Sequence, residues 1–377
     1  MKIAEVVATF PPSIGGMGEV CFNESEELAK RGHEVTVFTL RHFKKKEYAD
    51  EKFPFKVVRV RPFLKAGDAG LVPGIFFKLR GFDFIHLHYP FYGGAEWAML
   101  ASKIFKIPLI VTYHMDADPE GKFKKIIQRL WDFLFAKLVF REAKKVITVD
   151  MKHLMSTKFG NYIFADKLVE IYNGVDSTIY TPQKDYILPE KLKGWEHKKI
   201  FLFVGNPLPF KRLDFLLEAF QNIKQSDCVL AVVSGGYEIE KYKKIATDLG
   251  LTGDKVRFVG RAEDKKELNN YFQAAQALVV SSLGAAESFA LVSIEALSAG
   301  CPVIASNIPG VASRINNGVD GLLFEPMSRE SLQEKIIEMA NFSRQWRDAM
   351  GEAGRSKILK IYSWEKHGSE LYKLFVK

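Results

Sequence analysis

Glu287 and Glu295 sit in the run Ser281-Ser282-Leu283-Gly284-Ala285-Ala286-Glu287-Ser288-Phe289-Ala290-Leu291-Val292-Ser293-Ile294-Glu295-Ala296-Leu297. The apolar stretch Ala277-Leu278-Val279-Val280 before them reads as a strand, followed by a turn of small residues. After Glu287, the placing of Phe289, Ile294 and Leu297 predicts a short helix that Gly300 stops. Glu295 then lies about 9–12 Å further along the helix axis than Glu287. Between them fall the first free N–H groups of the helix, which suit a diphosphate. Carboxylates on either side accept hydrogen bonds from hydroxyls, one from the ribose of a nucleotide and the other from a hexose beyond its diphosphate. The competing reading makes Glu287 a helix-start acid and Glu295 a solvated face position.

Other residues fall at strand ends, where chemistry is expected. The loop Pro11-Pro12-Ser13-Ile14-Gly15-Gly16-Met17-Gly18-Glu19 follows the first strand and precedes a helix. Its glycines admit close backbone approach, but a nicotinamide-dinucleotide fingerprint fits poorly, given the two prolines, the spacing and Leu40-Arg41 in place of an acid after the second strand. A structural turn is the alternative. His114 in Thr112-Tyr113-His114 falls at a strand's carboxyl end, where a neutral imidazole can donate to a sugar hydroxyl or carbonyl; a purely structural histidine is the alternative. His86 and His88 flank Leu87 and point to one face, but no third ligand is evident, so no metal is expected there. Lys211 and Arg212 precede the helix Phe215 to Phe220 and place positive charge where a departing diphosphate needs it, unless they are a solvated pair. Arg261 ends another strand, within reach of a base or phosphate, and Pro309-Gly310-Val311 is a turn that helps close such a site.

The elements that must position these residues alternate. Strands are predicted at Ile3 to Phe10, Val35 to Leu40, Lys56 to Val60, Phe84 to Leu87, Leu109 to Thr112 and Val146 to Val149, and a helix over Val20 to Gly32. A second series runs through Ile200 to Val204, Val229 to Ser234, Val256 to Val259, Leu278 to Val280 and Pro302 to Ala305. This is an α/β chain of two doubly wound Rossmann-like domains facing across a cleft, with ligands outside the carboxyl ends of the strands. The boundary is expected within Ser177 to Gly194. That gives a first domain of residues 1–178, joined by a closing helix in 362–377, and a second domain of residues 179–361.

Composition narrows the function classes. The chain has 377 residues, 47% hydrophobic and 26% charged, which describes a folded two-domain protein. No window spans a membrane, the start reads as a strand rather than a signal peptide, and Cys21, Cys228 and Cys301 form no framework, so a cytoplasmic protein is expected. The net charge of +9 is mild and leans to the first half, without the basic charge gathered on one element that a nucleic-acid binder carries, and better suits an anionic small ligand or membrane face. Within Gly121 to Lys145, Lys122, Lys124, Lys125, Arg129, Lys137 and Arg141 interleave with Phe123, Ile126, Ile127, Leu130, Trp131, Phe133 and Leu134. This predicts a basic amphipathic helix, either touching an anionic inner membrane face or packed as a core helix with a solvated basic side.

Taken in order, these segments resemble a retaining glycosyltransferase of the family 4 group, with its two-domain GT-B fold. Gly15-Gly16-x-Gly18 is similar to the family's first loop, Thr112-Tyr113-His114 to its Thr-x-His segment, and Asn173-Gly174-Val175-Asp176 to the segment before its hinge. Glu287 and Glu295 match its Glu-x7-Glu signature. Ala299-Gly300-Cys301-Pro302-Val303-Ile304 follows, and Tyr362-Ser363-Trp364-Glu365 resembles the start of a helix that crosses back to the first domain. The resemblance implies catalytic roles for Glu287, His114 and Lys211. It implies a donor site of Gly16, Gly205, Lys211, Arg212, Arg261, Glu287, Phe289, Ala290, Leu291 and Glu295, in which the amides of Phe289, Ala290 and Leu291 hold the diphosphate and Glu295 holds the ribose. Gly15, Gly16, Met17, Gly18 and Tyr113 fall on the acceptor side. Implied further are hexosyl transfer from a nucleotide-diphosphate sugar with retained anomeric configuration, no cofactor and no metal, and a sugar, lipid-linked or small-molecule acceptor. The chain departs from the family where Asn206 replaces an arginine, removing a positive partner unless Arg212 swings in, and where Ser288 and Ala290 replace glycines. A sugar-nucleotide epimerase of the same architecture and a non-catalytic nucleotide-sugar binder are the alternatives.

Overall fold

The computed structural model describes residues 1–13, 15–42, 52–119, 121–236, 238–251 and 253–376; Ile14 of the glycine-bearing loop lies outside them. The chain divides into two compact units, Met1–Gly174 with Trp364–Lys377, and Val175–Ser363. The first unit thus ends a few residues earlier than the expected boundary. Leu168–Glu170 is a further short strand of the first sheet, so the irregular stretch holding Pro182 and Pro189 falls wholly to the second unit.

The first unit is built on β1 (Lys2–Val7), β2 (Glu34–Leu40), β3 (Lys56–Val60), a small hairpin of β4 (Leu64–Ala66) and β5 (Ala69–Leu71), then β6 (Phe84–Tyr89), β7 (Leu109–Tyr113), β8 (Lys145–Thr148) and β9 (Leu168–Glu170). Seven of these strands form one sheet in the order β3-β2-β1-β6-β7-β8-β9, all parallel. Its helices are α1 (Gly16–Lys30), α2 (Ile75–Lys78), α3 (Ala95–Phe105), α4 (Lys122–Trp131), α5 (Lys137–Glu142) and α6 (Met151–Ser156). Strands such as β7 are buried along their whole length, because helices cover both faces of a parallel sheet. Against that rule, β1 and β6 carry Glu5, His86 and His88 at 0% exposure.

Two local expectations change. The helix expected from Val20 begins at Gly16, so the glycines form its first turn. Glycine is a poor helix former, but a Cβ on Gly18 would stand 2.9 Å from the Thr9 carbonyl oxygen. Tertiary closeness therefore sets the residue. The basic amphipathic helix stops at Glu142 rather than Lys145 and contains a π-helical turn at Asp132–Ala136. That turn buries Asp132, which accepts hydrogen bonds from the Tyr89 and Tyr92 hydroxyls and from Lys158 Nζ at 2.6 Å.

The second unit contains β10 (Lys199–Val204), α7 (Leu213–Gln221), β11 (Cys228–Val233), α8 (Ile239–Asp248), β12 (Val256–Gly260), α9 (Lys265–Ala274), β13 (Ala275–Val280), α10 (Leu291–Ser298), β14 (Val303–Ser306), β15 (Gly321–Phe324), α11 (Arg329–Asn341) and α12 (Arg344–Ile361). Its six-stranded sheet runs β12-β11-β10-β13-β14-β15, again all parallel. In each sheet the strand order reverses beside the first strand of the unit, between β1 and β6 and between β10 and β13. That reversal opens a crevice at the carboxyl ends.

The final helix, α13 (Trp364–Val376), packs on α1 of the first unit. Leu371 and Phe375 complete a buried cluster with Ile3, Leu28, Val35, Ile110, Ile147 and Ile171. Arg31 on α1 donates to the Glu365 carbonyl and to Ser369 Oγ.

Candidate active site

The second unit brings Lys211 and Glu287 together at its crevice. Because β10 and β13 are neighbours, the loops leaving them run side by side and are stitched together. Leu283 N–H donates to the Phe210 carbonyl at 2.7 Å, and Ser281 Oγ donates to the Lys211 carbonyl at 2.8 Å. Lys211 Nζ then lies 2.8 Å from Glu287 Oε2. Ser282 Oγ donates to the same oxygen at 3.0 Å, while Glu287 Oε1 accepts the Ala290 N–H at 3.1 Å. Glu287 is 8% exposed. It is thus a helix-start acid, as one sequence reading had it, and it is also paired with Lys211.

Ala290, the cap of α10, takes a left-handed backbone conformation with φ 53. No hydrogen-bond acceptor among the described residues engages the N–H groups of Phe289 or Leu291. Two of the three amides expected to hold an anion are therefore unspent, and the third is held by Glu287. Glu295 lies half-buried on α10. Beneath the loop, the buried Arg314 guanidinium lies 4.1 Å from the centroid of the Phe289 ring.

The charge missing at Asn206 is not restored by Arg212. That residue caps α7 with φ 49 and bonds Asp214 through Nε at 3.1 and 3.2 Å. Arg261 stands at the loop instead, donating from Nη2 to Asn206 Oδ1 at 3.3 Å. Its side chain lies along Gly235, where a Cβ would meet Arg261 Cγ at 2.6 Å. Gly205, with φ 125, turns the chain out of β10 beside the Lys211 side chain. A cavity of about 520 Å³ in the same unit is lined by Ser234, Gly235, Val259 and Gly260, together with Lys191 and Lys243. None of the expected site residues lines it.

In the first unit, Gly15 and Gly16 are exposed at the start of α1, Gly18 is buried against β1's following loop, and Met17 is half-buried against the core. Tyr113, placed on the acceptor side from sequence, is a core residue. It is fully buried among Phe140, His153 and Phe159, and its hydroxyl donates to Asp116. His114, the residue just past the end of the strand, is buried as well, at 5% exposed. Its N–H donates to the Tyr89 carbonyl at 2.9 Å, its ring stacks on His88, and its Nε2 lies 2.8 Å from His88 Nδ1. Burial first, and the imidazoles of His88, His86 and His367 next, hold His114 well below the usual histidine range, so it is neutral.

The reading that His86 and His88 lack a third ligand is also corrected. Glu5 Oε2 lies 2.9 Å from both His86 Nδ1 and His88 Nε2, and Glu24 Oε2 lies 3.8 and 3.4 Å from them.

Residues 14–179 match the Glycosyltransferase Family 4 family, and residues 187–357 match Glycosyl transferases group 1. The chain belongs to the family 4-like GT-B glycosyltransferases. A glycosyltransferase of Methanocaldococcus jannaschii is 29% identical over 76% of this chain and 73% of its own. A D-inositol 3-phosphate glycosyltransferase of Corynebacterium aurimucosum is 26% identical over 96% of this chain and 90% of its own. HepE of Anabaena, solved in complex with UDP, shares the fold with a TM-score of 0.79 at 18% identity, covering 100% of both chains.

In this transferase, sequence reasoning passed over Ser282 and Arg314. Ser282 lay within the acidic run and carried no signal beyond its position. Arg314 had none, since its role depends on burial under Phe289. Ala290 shows a cost. A non-glycine residue in the left-handed region loses about 1–2 kcal/mol, offset in part by glycine's greater freedom when unfolded. Ala290→Gly is expected to stabilise the second unit by up to about 1 kcal/mol, read as a higher urea midpoint. A lower midpoint would show that the Ala290 methyl group contributes packing that outweighs its backbone strain.

Proposed function

We propose that this transferase moves a hexosyl group from a nucleotide-diphosphate sugar to its acceptor with retention of anomeric configuration, and that no metal ion is needed at the diphosphate. The Lys211–Glu287 pair at the N-terminal end of α10 carries the reading. When the donor's anomeric bond breaks, negative charge grows on the diphosphate. Lys211 and the free N–H groups opening α10 meet that charge with positive charge already in place. Lys211 can do this only because Glu287 and the stitched loops hold it at the strand ends. Glu287 accepts from a hexose hydroxyl, and Glu295, further along α10, accepts from the ribose. His114, neutral, is the first unit's candidate donor to a sugar hydroxyl. The leaving phosphate takes the acceptor proton, so the reading requires no protein base. HepE, solved with UDP and with UDP-glucose, supports a uridine nucleotide as the first donor to try.

The test is a thermal-shift panel of UDP, GDP and ADP with their glucose conjugates, followed by NMR assignment of the product anomer. Stabilisation by one nucleotide diphosphate and an axial product from an axial donor are expected. No stabilisation by any nucleotide at saturating concentration, or an inverted product, rejects the reading. Within it, Gly235→Ala drives Arg261 off Asn206 and is expected to weaken nucleotide-diphosphate binding about tenfold with the fold kept. Unchanged affinity would remove Arg261 from the donor site.

A second feature concerns where the acceptor is met. No residue of α4 is buried, and α4 with the turn and helix after it exposes Phe123 and Phe133 at 75% each, along with Ile126, Leu130 and Leu138. Lysines and Arg129 flank these side chains. This exposed apolar face favours the membrane-touching reading over a core helix with a solvated basic side, which describes only the later part of the stretch, where Val139 and Phe140 are core residues. Such a face suits the headgroup boundary of an anionic bilayer and hence a lipid-linked acceptor. Among the described residues no helix is long and apolar enough to cross a membrane, so contact is peripheral. Co-sedimentation with phosphatidylglycerol vesicles but not phosphatidylcholine vesicles is expected. Phe123→Glu with Phe133→Glu is expected to abolish it while leaving donor binding unchanged. Binding that ignores lipid charge, or that survives both substitutions, rejects the idea.

A further inference from the structure

The buried polar cluster of the first unit has the chemistry of a metal site rather than of a sheet core. Glu5 from β1, Glu24 from α1, and His86 and His88 from β6 are each 0% exposed. One ligand atom from each lies within 4.8 Å of all the others, the one such group among the described residues. Hydrogen bonding accounts for only part of the arrangement: His88 Nε2 meets Glu5 Oε2 at 2.9 Å. Glu24 Oε2 and His86 Nδ1 are buried without a hydrogen-bond partner. His86 Nδ1 stands only 2.9 Å from Glu5 Oε2, yet off hydrogen-bond geometry. Unpartnered buried polar atoms are costly, and a cation held among the four side chains would satisfy both Glu24 Oε2 and His86 Nδ1.

We propose that Glu5, Glu24, His86 and His88 bind a divalent transition-metal ion, zinc by preference, in a closed four-coordinate site. Two imidazoles and two carboxylates are ligands of this class. Bonds of about 2.0–2.2 Å in a tetrahedron set neighbouring ligand atoms about 3.3 Å apart. The contacts here are 2.9, 2.9, 3.4 and 3.8 Å. Two carboxylates and two neutral imidazoles also balance a dication, leaving no net charge in the core.

Outer partners hold three of the four ligands, as metal sites require. His86 Nε2 meets Thr112 Oγ1 at 2.7 Å, and His88 Nδ1 meets His114 Nε2 at 2.8 Å. Glu24 Oε1 meets His367 Nε2 of α13 at 2.6 Å. The ion ties the first helix to two strands, and the closed ligand set leaves it no catalytic position. It also fixes a tautomer. With the metal on His88 Nε2, the His88 proton sits on Nδ1 and is donated to His114 Nε2, so the proton of a neutral His114 sits on Nδ1. What that proton does for a sugar rests on the donor-site reading, whereas occupancy of the site does not.

The experiment is elemental analysis of the full chain, purified without a histidine tag from zinc-supplemented cells. About one zinc per chain is expected, and removing it with chelator in mild denaturant is expected to lower the melting temperature, with zinc restoring it. Cobalt(II) is expected to give the intense visible absorption of a four-coordinate ion. Glu24→Gln keeps the side-chain size and is expected to lose the metal. Folded wild-type protein holding under about 0.1 metal per chain, with a melting temperature indifferent to chelator and zinc, would overturn the site. So would full occupancy in folded Glu24→Gln. Wild-type occupancy and the cobalt spectrum decide the matter even if that variant does not fold. None of these readouts uses a sugar donor, so failure here and failure of the transferase reading are separate results.

Discussion

Lys211→Ala lowers turnover by roughly a hundredfold or more, with a much smaller change in donor affinity. The expectation follows from when the charge appears. In the proposed site the ground-state diphosphate is already anionic and would be held by several groups, including the α10 amides and Arg261. The extra charge created by bond breaking falls where Lys211 Nζ is held, so its loss is felt mainly in the transition state. Glu287→Gln is expected to cost a similar factor for two reasons. It weakens acceptance from the hexose hydroxyl, and it releases Lys211 from a 2.8 Å partner. Because the two act as a unit, the double variant should lose far less than the product of the single losses. Steady-state rates of the four proteins check this. Near-full activity in either single variant, or strictly multiplicative losses, would falsify the shared role.

Leu371→Ala unfolds the first unit more readily by about 2–5 kcal/mol, although the residue lies nearly two hundred positions beyond the rest of that unit. Leu371 is fully buried in the cluster with Ile3, Leu28 and Ile147. Truncating it leaves a cavity between α13 and the sheet, and the chain cannot collapse into it without moving α1. Urea denaturation followed by a first-unit probe such as Trp97 should show a lower midpoint, with β10 to β15 little changed. A loss confined to the second unit would contradict the packing.

The strand series was legible because parallel strands covered on both faces read as unbroken apolar runs. Lys56 to Val60 was placed at its observed ends, and most others within one to three residues. The glycine-started α1 was misplaced because propensity argues against glycine in a helix, and only the closeness of Thr9 explains Gly18. Glu287 could be named from its place between a strand and a helix. Its pairing with Lys211, 76 positions away, follows from β10 lying beside β13, and sheet order is not written locally. Arg212 looked like the spare cation because it is adjacent in sequence; Arg261 reaches the site because β12 and β10 flank β11. Glu5 and Glu24 drew no attention since each is a lone acid in a different element. Only the fold puts them beside His86 and His88. The exposed face of α4 was ambiguous for a different reason. An amphipathic period records that one side is apolar and leaves open what that side meets.

The helix that finishes the first unit is translated only after all of residues 175–363. At ordinary synthesis rates this leaves the nascent N-terminal sheet without its cover for roughly ten to forty seconds. Throughout that wait Ile3, Leu28, Val35 and Ile110 form an oily strip beside the ribosome, an invitation to holdase chaperones and to aggregation at high expression. Codon choice along the second unit, which sets the length of the delay, thereby becomes a lever on soluble yield.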